Sequence, residues 1–338
     1  MKRLALTVCC LLAAALISCE SKESGTATTG GSSSTAPSGG TSSGGKKTIA
    51  VIPKGTTHVF WRTVEAGAKQ AGAELGVDIK WQGPLKEDDR GQQIGLVEQF
   101  TSNNVSGIVL APLDATALQE AVAGAMNKKI PVVIFDSALN GEAGKDFVSL
   151  VATDNKKGGS IGGEELARLI NKKGKVVLLR YNPGSASTEM RETGFLDAMA
   201  KYPDIQVISK DQYAGATVGE AQQKSENMID KLKQADGIFC PNESATQGML
   251  NVLTANGLAG KVKFVGFDTS PALVDALKND QVQALVAQNP RKMGYLAVKT
   301  MVDHLNGSPI DKYVDTGCAL VTKANLDTPD IKTLLQSP

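Results

Sequence analysis

Two doubly wound α/β lobes are the fold that this 338-residue sequence predicts, on three observations. Short apolar runs alternate with helix-period stretches from Thr48 onward, as in a parallel sheet covered on both faces. A unit in the first half then returns in the second: Gly107 to Asp114, a helix and Ile130 to Asp136 are answered by Gly237 to Glu243, a helix and Lys261 to Asp268. The separations Gly107 to Gly237, Pro112 to Pro241 and Asp136 to Asp268 are 130, 129 and 132 residues, the near-constant offset of an internal repeat. The third observation is length, because residues 46–338 suffice for two domains of ordinary size.

Taken in order, the chain opens on a processing signal. Lys2 and Arg3 precede an apolar stretch from Leu4 to Ile17 that is short for a membrane span. The run Leu16-Ile17-Ser18-Cys19 resembles a bacterial lipoprotein signal, which implies a signal peptide over 1–18 and a lipid on Cys19. An ordinary secretory signal is the alternative. Residues 19–45 form a Ser/Thr/Gly tract with almost nothing to bury, the composition of a flexible tether. No later stretch approaches 18 consecutive apolar residues. The expectation is a folded body beside a bacterial membrane, in the periplasm or at the cell surface.

The body begins with the strand at Thr48 to Ile52 and the loop Pro53-Lys54-Gly55-Thr56-Thr57-His58. Phe60, Val64, Ala68, Ala71 and Leu75 then draw one helical stripe ending at Gly76 as a C-cap. Val77 to Trp81 reads as a second strand, and Asp88 or Asp89 caps a helix carrying Ile94, Val97 and Phe100. A strand from Gly107, a helix over 116–128 and a strand from Ile130 complete the first half. The pattern restarts at Lys175 to Leu179, with a helix near 188–201, a strand at 205–208 and a helix near 218–234 before the repeated unit.

With Lys2 and Arg3 removed, the 36 basic residues fall by two against 35 acidic ones, which leaves no basic footprint for nucleic acid. Beyond the signal and Cys19 remain Cys240 and Cys318, which can pair in an oxidising compartment; each lies in an apolar run that suits two separate buried thiols. The chemistry gathers at strand ends, where open α/β sheets bind ligands. There stand Lys54, His58, Phe60 and Trp61 in the first loop, Asp114 and Asp136 in the first half, and Asn242, Glu243 and Asp268 in the second. Trp61 is expected toward a cleft between the lobes, while Phe60 divides evenly between cleft and core. Asp114 and Glu243 read as capping residues or as supports behind the ligand contacts. His304, the only other histidine, has no nucleophile, metal spacing or phosphate loop beside it, and Gly184-Ser185-Ala186-Ser187 lacks the second glycine of a nucleophile elbow. Asp136 and Asp268 could form a glycosidase pair in principle, a remote reading. The sequence asks for no metal and no cofactor.

The stretches TIAVIPKGTTHVFW, IPVVIFDSA, VATDNKKGG, GSASTEMRETGF, GIFCPNES, VKFVGFDTSP and LVAQNPRKMGY together resemble the ribose-type periplasmic sugar-binding proteins of bacterial ABC transporters, over residues 46–325. Lactose-repressor-type regulators share that fold, but this chain carries a secretion signal where those carry a DNA-binding headpiece. The resemblance implies two lobes joined by a three-strand hinge crossing near Ala152–Asp154, Ala287–Asn289 and Asp315–Gly317. The N-terminal lobe would comprise 46–153 plus 289–316 and the C-terminal lobe 154–288 plus 317–338. It places ligand contacts on Lys54, His58, Phe60, Trp61, Asp136, Glu189, Asn242, Asp268 and Gln288. The residues themselves suggest that Arg191 anchors Asp268 or a neighbouring backbone and that Tyr181 or Tyr213 supplies a second-lobe aromatic. Departures from the ribose pattern are Lys54 and His58 in place of small polar residues, and Ser137 and Glu189 in place of arginines. The implied function is capture of a sugar or polyol by a monomer that delivers it to an ABC permease. A chemosensory receptor using the same cleft is the alternative, and a sugar hydrolase the remote one; no nucleic-acid partner is expected.

Overall fold

The computed structural model describes residues 46–335. The signal peptide, Cys19 and the tether expected over 1–45 lie outside them. The first lobe contains β1 (Thr48–Ile52), α1 (Val59–Glu74), β2 (Asp78–Trp81), α2 (Arg90–Ser102), β3 (Gly107–Leu110), α3 (Gln119–Asn127), β4 (Val132–Phe135) and β5 (Ser149–Ala152). The second contains α4 (Asn155–Leu169), β6 (Gly174–Arg180), α5 (Ala186–Met199), β7 (Ile205–Tyr213), α6 (Val218–Glu226), α7 (Ile229–Leu232), β8 (Gly237–Phe239), α8 (Glu243–Ala255), β9 (Lys263–Phe267), α9 (Pro271–Lys278) and β10 (Ala284–Gln288). The chain then returns through α10 (Pro290–Leu305) and β11 (Tyr313–Asp315) to the first lobe, and ends with β12 (Cys318–Thr322) and α11 (Pro329–Leu334) in the second.

Each lobe is a six-stranded sheet. The orders are β11-β5-β4-β3-β1-β2 and β12-β10-β9-β8-β6-β7, parallel throughout except for β12, which runs antiparallel to β10. Order reverses between β1 and β3 in one sheet and between β6 and β8 in the other, and such switch points open a crevice at the carboxyl ends of the strands. Alternate side chains of a strand face opposite layers. Val177 and Leu179 accordingly join one core cluster while Val176 and Leu178 join the other. Buried on both faces, these strands read as continuous apolar runs rather than alternating ones.

Local sequence sets the helix boundaries. Asp89 caps α2 by accepting from Gln92 N–H, Thr217 and Glu220 form a capping box on α6, and Pro271, Pro290 and Pro329 open α9, α10 and α11. The helix expected over 218–234 is two helices, interrupted at Asn227 and Met228, and the strand expected at 205–208 continues to Tyr213 through register shifts against β6. Cys240 and Cys318 are both free thiols; Cys240 is buried, and Cys318 is half-buried against the opposite core layer.

The chain passes between the sheets at three places: after β5, after β10 and between β11 and β12. These crossings are laced together. Thr153 Oγ1 donates to Gln288 Oε1 at 3.0 Å and lies 3.3 Å from Thr316 Oγ1, so one hydroxyl touches all three. Among the described residues no helix is long and apolar enough to cross a membrane.

Candidate functional site

The carboxyl ends of both sheets face one cavity, with about 320 Å³ of space unfilled by protein atoms, its mouth included. The first lobe lines it with Lys54, His58, Phe60, Trp61, Glu87 and Asp136. The second contributes Tyr181, Ser187, Thr188, Arg191, Asn242, Glu243, Asp268 and Gln288.

Asp136 and Asp268 occupy equivalent places, immediately after β4 and β9, and both adopt left-handed backbone, with φ 61° and 71°. Aspartate tolerates that region better than most residues because its short side chain can bond locally. Both carboxylates are buried. Burial raises Asp136 above the usual carboxylate range although Lys54 and Arg191 oppose the rise. Lys54 Nζ lies 3.4 Å from Asp136 Oδ2 and reaches the opposite lobe, donating to Ser185 Oγ at 3.1 Å and Ser187 Oγ at 3.0 Å. Among the described residues Asp268 has no ion-pair partner. It accepts from Gln288 Nε2 at 2.7 Å and Glu243 N–H at 2.9 Å, and burial, with Glu243 and Asp136 nearby, lifts it to about 6 against the pull of Arg191 and Gln288.

Glu87 is the hub that the sequence reading missed. It sits in the loop before α2 with its side chain only 8% exposed, 2.6 Å from His58 Nδ1. It accepts from Trp61 Nε1 at 2.7 Å and from the Tyr181 hydroxyl of the other lobe at 3.0 Å. Burial opposes charge on both His58 and Glu87, yet their mutual attraction wins: His58 is raised to about 9, with help from Glu243 and Asp268, and Glu87 is lowered to about 2, with help from Lys54 and Trp61. The pair is therefore an imidazolium and a carboxylate at neutral pH.

Trp61 serves two surfaces. It is 3% exposed, packs edge-on against Phe135 in the core, and still presents part of its ring to the cavity; Phe60 meets it edge-on with centroids 4.9 Å apart. Arg191 lies over the Phe267 ring at 4.1 Å, donating to Asn155 Oδ1 at 2.8 Å and to the Pro241 carbonyl at 2.9 Å. It holds the Pro241 backbone in place while also lining the cavity. Asn242 caps α8 through Ala245 N–H.

Of the residues expected at the site, Lys54, His58, Phe60, Trp61, Asp136, Asn242, Asp268 and Gln288 are brought together. Glu189 is placed elsewhere: its carboxylate turns back to accept from Gly184 N–H at 2.8 Å, stabilising the turn into α5. Asp114 accepts from Thr116 and Ala117 N–H and pairs with Arg90, away from the cavity. Glu243 reaches further than a cap of its own helix, since it lines the cavity. Tyr181, not Tyr213, is the second-lobe aromatic there; Tyr213 lies under Arg180. Glu87 carried no signal beyond its place in an acidic loop at a strand end. Among the described residues no cluster of three or more His, Cys, Asp or Glu side chains could hold a metal ion.

Residues 49–309 match the periplasmic binding protein domain family. The chain belongs to the periplasmic binding proteins, in their ribose-type branch. Similar structures include a carbohydrate transporter solute-binding protein of Agrobacterium radiobacter in complex with D-arabinose, 35% identical with a TM-score of 0.83 and covering 87% of this chain and 100% of that one. An ABC transporter solute-binding protein of Agrobacterium vitis with bound D-fucose is 32% identical with a TM-score of 0.83, covering 86% and 100%. The D-allose-binding periplasmic protein of Escherichia coli is 29% identical over 271 residues, 78% of this chain and 87% of that protein. For a periplasmic binding protein, the crevice at two facing switch points is where a solute belongs.

Proposed function

We propose that this periplasmic binding protein captures an uncharged monosaccharide or small polyol between its lobes and delivers it to an ABC-type permease. The cavity between the two sheets carries this reading: an aromatic wall from α1 on one side, and the carboxylates of Asp136 and Asp268 entering from opposite lobes. An aromatic face covers the C–H side of a sugar, and carboxylates satisfy its hydroxyl groups, each of which would cost about 1–3 kcal/mol if buried without a partner. Charge favours a neutral ligand. Lys54, His58 and Arg191 stand against Glu87, Asp136, Glu243 and Asp268, so a further anion would meet a net negative site.

The three laced crossings near Thr153, Asn289 and Thr316 act as the hinge in this reading, with the lobes bounded as the sequence suggests. A lipid on Cys19 and the 19–45 tether hold the body at the membrane within reach of the permease. Binding favours the closed arrangement only through differential affinity for it.

Titration calorimetry with D-arabinose, D-fucose, D-allose, D-ribose, myo-inositol, a uronate and a sugar phosphate tests the reading. At least one neutral member is expected to bind, the two anions are expected to give no heat, and Asp136→Asn and Asp268→Asn should each weaken binding by about tenfold or more. Binding of the anions alone, or tight neutral binding untouched by both substitutions, would overturn it.

A further inference from the structure

Helix α1 carries the aromatic wall in its first turn, yet has no cap of its own. His58 at the N-cap position makes no side-chain bond to the helix, and the first turn contains no acidic residue. The leading N–H groups of a helix have no intrahelical acceptors and look for them elsewhere. Here they find them in the opposite lobe. Val59 N–H donates to Glu243 Oε1 at 3.1 Å and Phe60 N–H to Glu243 Oε2 at 3.0 Å, a two-oxygen grip on the positive end of the α1 dipole. Glu243 itself opens α8, and its own N–H donates to Asp268 Oδ2.

We propose that Glu243 is a positioning residue for ligand capture: it completes the N-terminus of α1 only when the lobes are together, and so ties the aromatic wall of one lobe to the Asp268 carboxylate of the other. The proposal rests on the reading of the cavity as a closing ligand site and adds how closure is held. The link runs through two bonds. A ligand hydroxyl at Asp268 loads the carboxylate that fixes the Glu243 backbone, and the Glu243 side chain fixes the turn bearing Phe60 and Trp61. When the lobes part, the two N–H groups lose a charged acceptor, and water replaces it with weaker, uncharged ones.

Two substitutions reach this contact from opposite sides. Glu243→Gln keeps shape but offers one acceptor oxygen in place of two. Val59→Pro removes a donor at the first position of α1, where proline is well tolerated, and His58 before it already has the extended backbone (φ −74°, ψ 149°) that a following proline requires. X-ray scattering and amide hydrogen exchange are read on the folded chain, without sugar and with 10 mM each of D-arabinose, D-fucose and D-allose. Both variants are expected to shift the population toward the expanded form and to weaken binding of any panel sugar by about ten- to a hundredfold, with the double variant no worse than either single one. Phe60 N–H exchange should quicken in Glu243→Gln while the middle of α1 stays protected. The proposal is overturned if Glu243→Gln matches the native protein in Phe60 exchange and in scattering with and without sugar, or if the two substitutions simply add. Should none of the sugars bind the native protein, the sugar-free comparison decides alone, and that failure counts only against the sugar reading.

Discussion

Glu87 shows how one buried carboxylate can organise the wall of a cavity through its own hydrogen bonds. Its oxygens hold an imidazolium, an indole N–H and a phenol from the other lobe. Breaking such a buried pair from one side typically costs about 3–5 kcal/mol, because the stranded charge keeps its desolvation penalty. Glu87→Gln should lower stability by that order in urea unfolding, and should bring the His58 NMR titration down from about 9. The pH signs follow. His58 is raised on folding, so its contribution is complete below pH 6.5 and is lost as pH rises through about 9. Glu87 is depressed, so its contribution is complete above pH 4.5 and is lost as pH falls through about 2. Melting temperature should therefore hold a shoulder between pH 4.5 and 6.5 that the variant lacks. Asp268 governs a different curve. A sugar hydroxyl donating to it favours the ionised form, so affinity should fall as pH drops through about 6, with proton release on binding visible in calorimetry across buffers of different ionisation enthalpy.

At the scale of elements, both lobes rest on one packing device. α1 crosses α10 and α4 crosses α5 at glycines so close to the neighbouring backbone that no side chain fits: a Cβ on Gly294 would lie 2.0 Å from the Val64 carbonyl oxygen, and one on Gly159 would lie 1.9 Å from that of Arg191. Gly294→Ala and Gly159→Ala should each cost about 3 kcal/mol or more, since relief requires whole helices to separate. Gly159→Ala should also weaken binding, because the helix it displaces carries Arg191 into the cavity; chemical denaturation and calorimetry together separate the two effects. These elements explain what the sequence made legible. Strands such as Thr48–Ile52 and Lys263–Phe267, bounded by turns and buried on both faces, leave an unmistakable apolar run, and the 132-residue offset from Asp136 to Asp268 reflects identical strand-end placement. The break between α6 and α7 left no proline or glycine to announce it. Glu189 has the motif position of a ligand group, but its carboxylate, one turn into α5, accepts from the preceding turn's N–H while its neighbours Ser187, Thr188 and Arg191 line the cavity. Glu87 was invisible because its partners come from two separate segments, the start of α1 and the end of β6 in the other lobe.

For the whole molecule, the three crossings share one hydroxyl. Thr153→Val keeps the shape of that side chain and strands the Gln288 carbonyl, which should cost about 1–3 kcal/mol in thermal or urea unfolding and broaden the lobe-distance distribution in scattering. Gln288 in turn holds Asp268, so the crossings and the cavity form one hydrogen-bonded structure. The left-handed strand ends at Asp136 and Asp268 have a further consequence for the native state as a thermodynamic object. A carboxylate raised from 3.8 to about 6 by burial opposes folding at neutral pH by roughly 3 kcal/mol, and the backbone beneath it occupies a region most residues avoid. Asparagine suits that backbone equally well and carries no charge. Asp268→Asn should therefore leave the protein more stable than the native chain at pH 7, by about 1–2 kcal/mol once Gln288 has turned its amide to match, while binding its sugar less tightly. Alanine at the same place would mix lost charge with added strain, and its binding loss would overstate what the carboxylate does. A variant that melts later and binds worse would mark Asp268 as a position where fold stability has been surrendered to recognition.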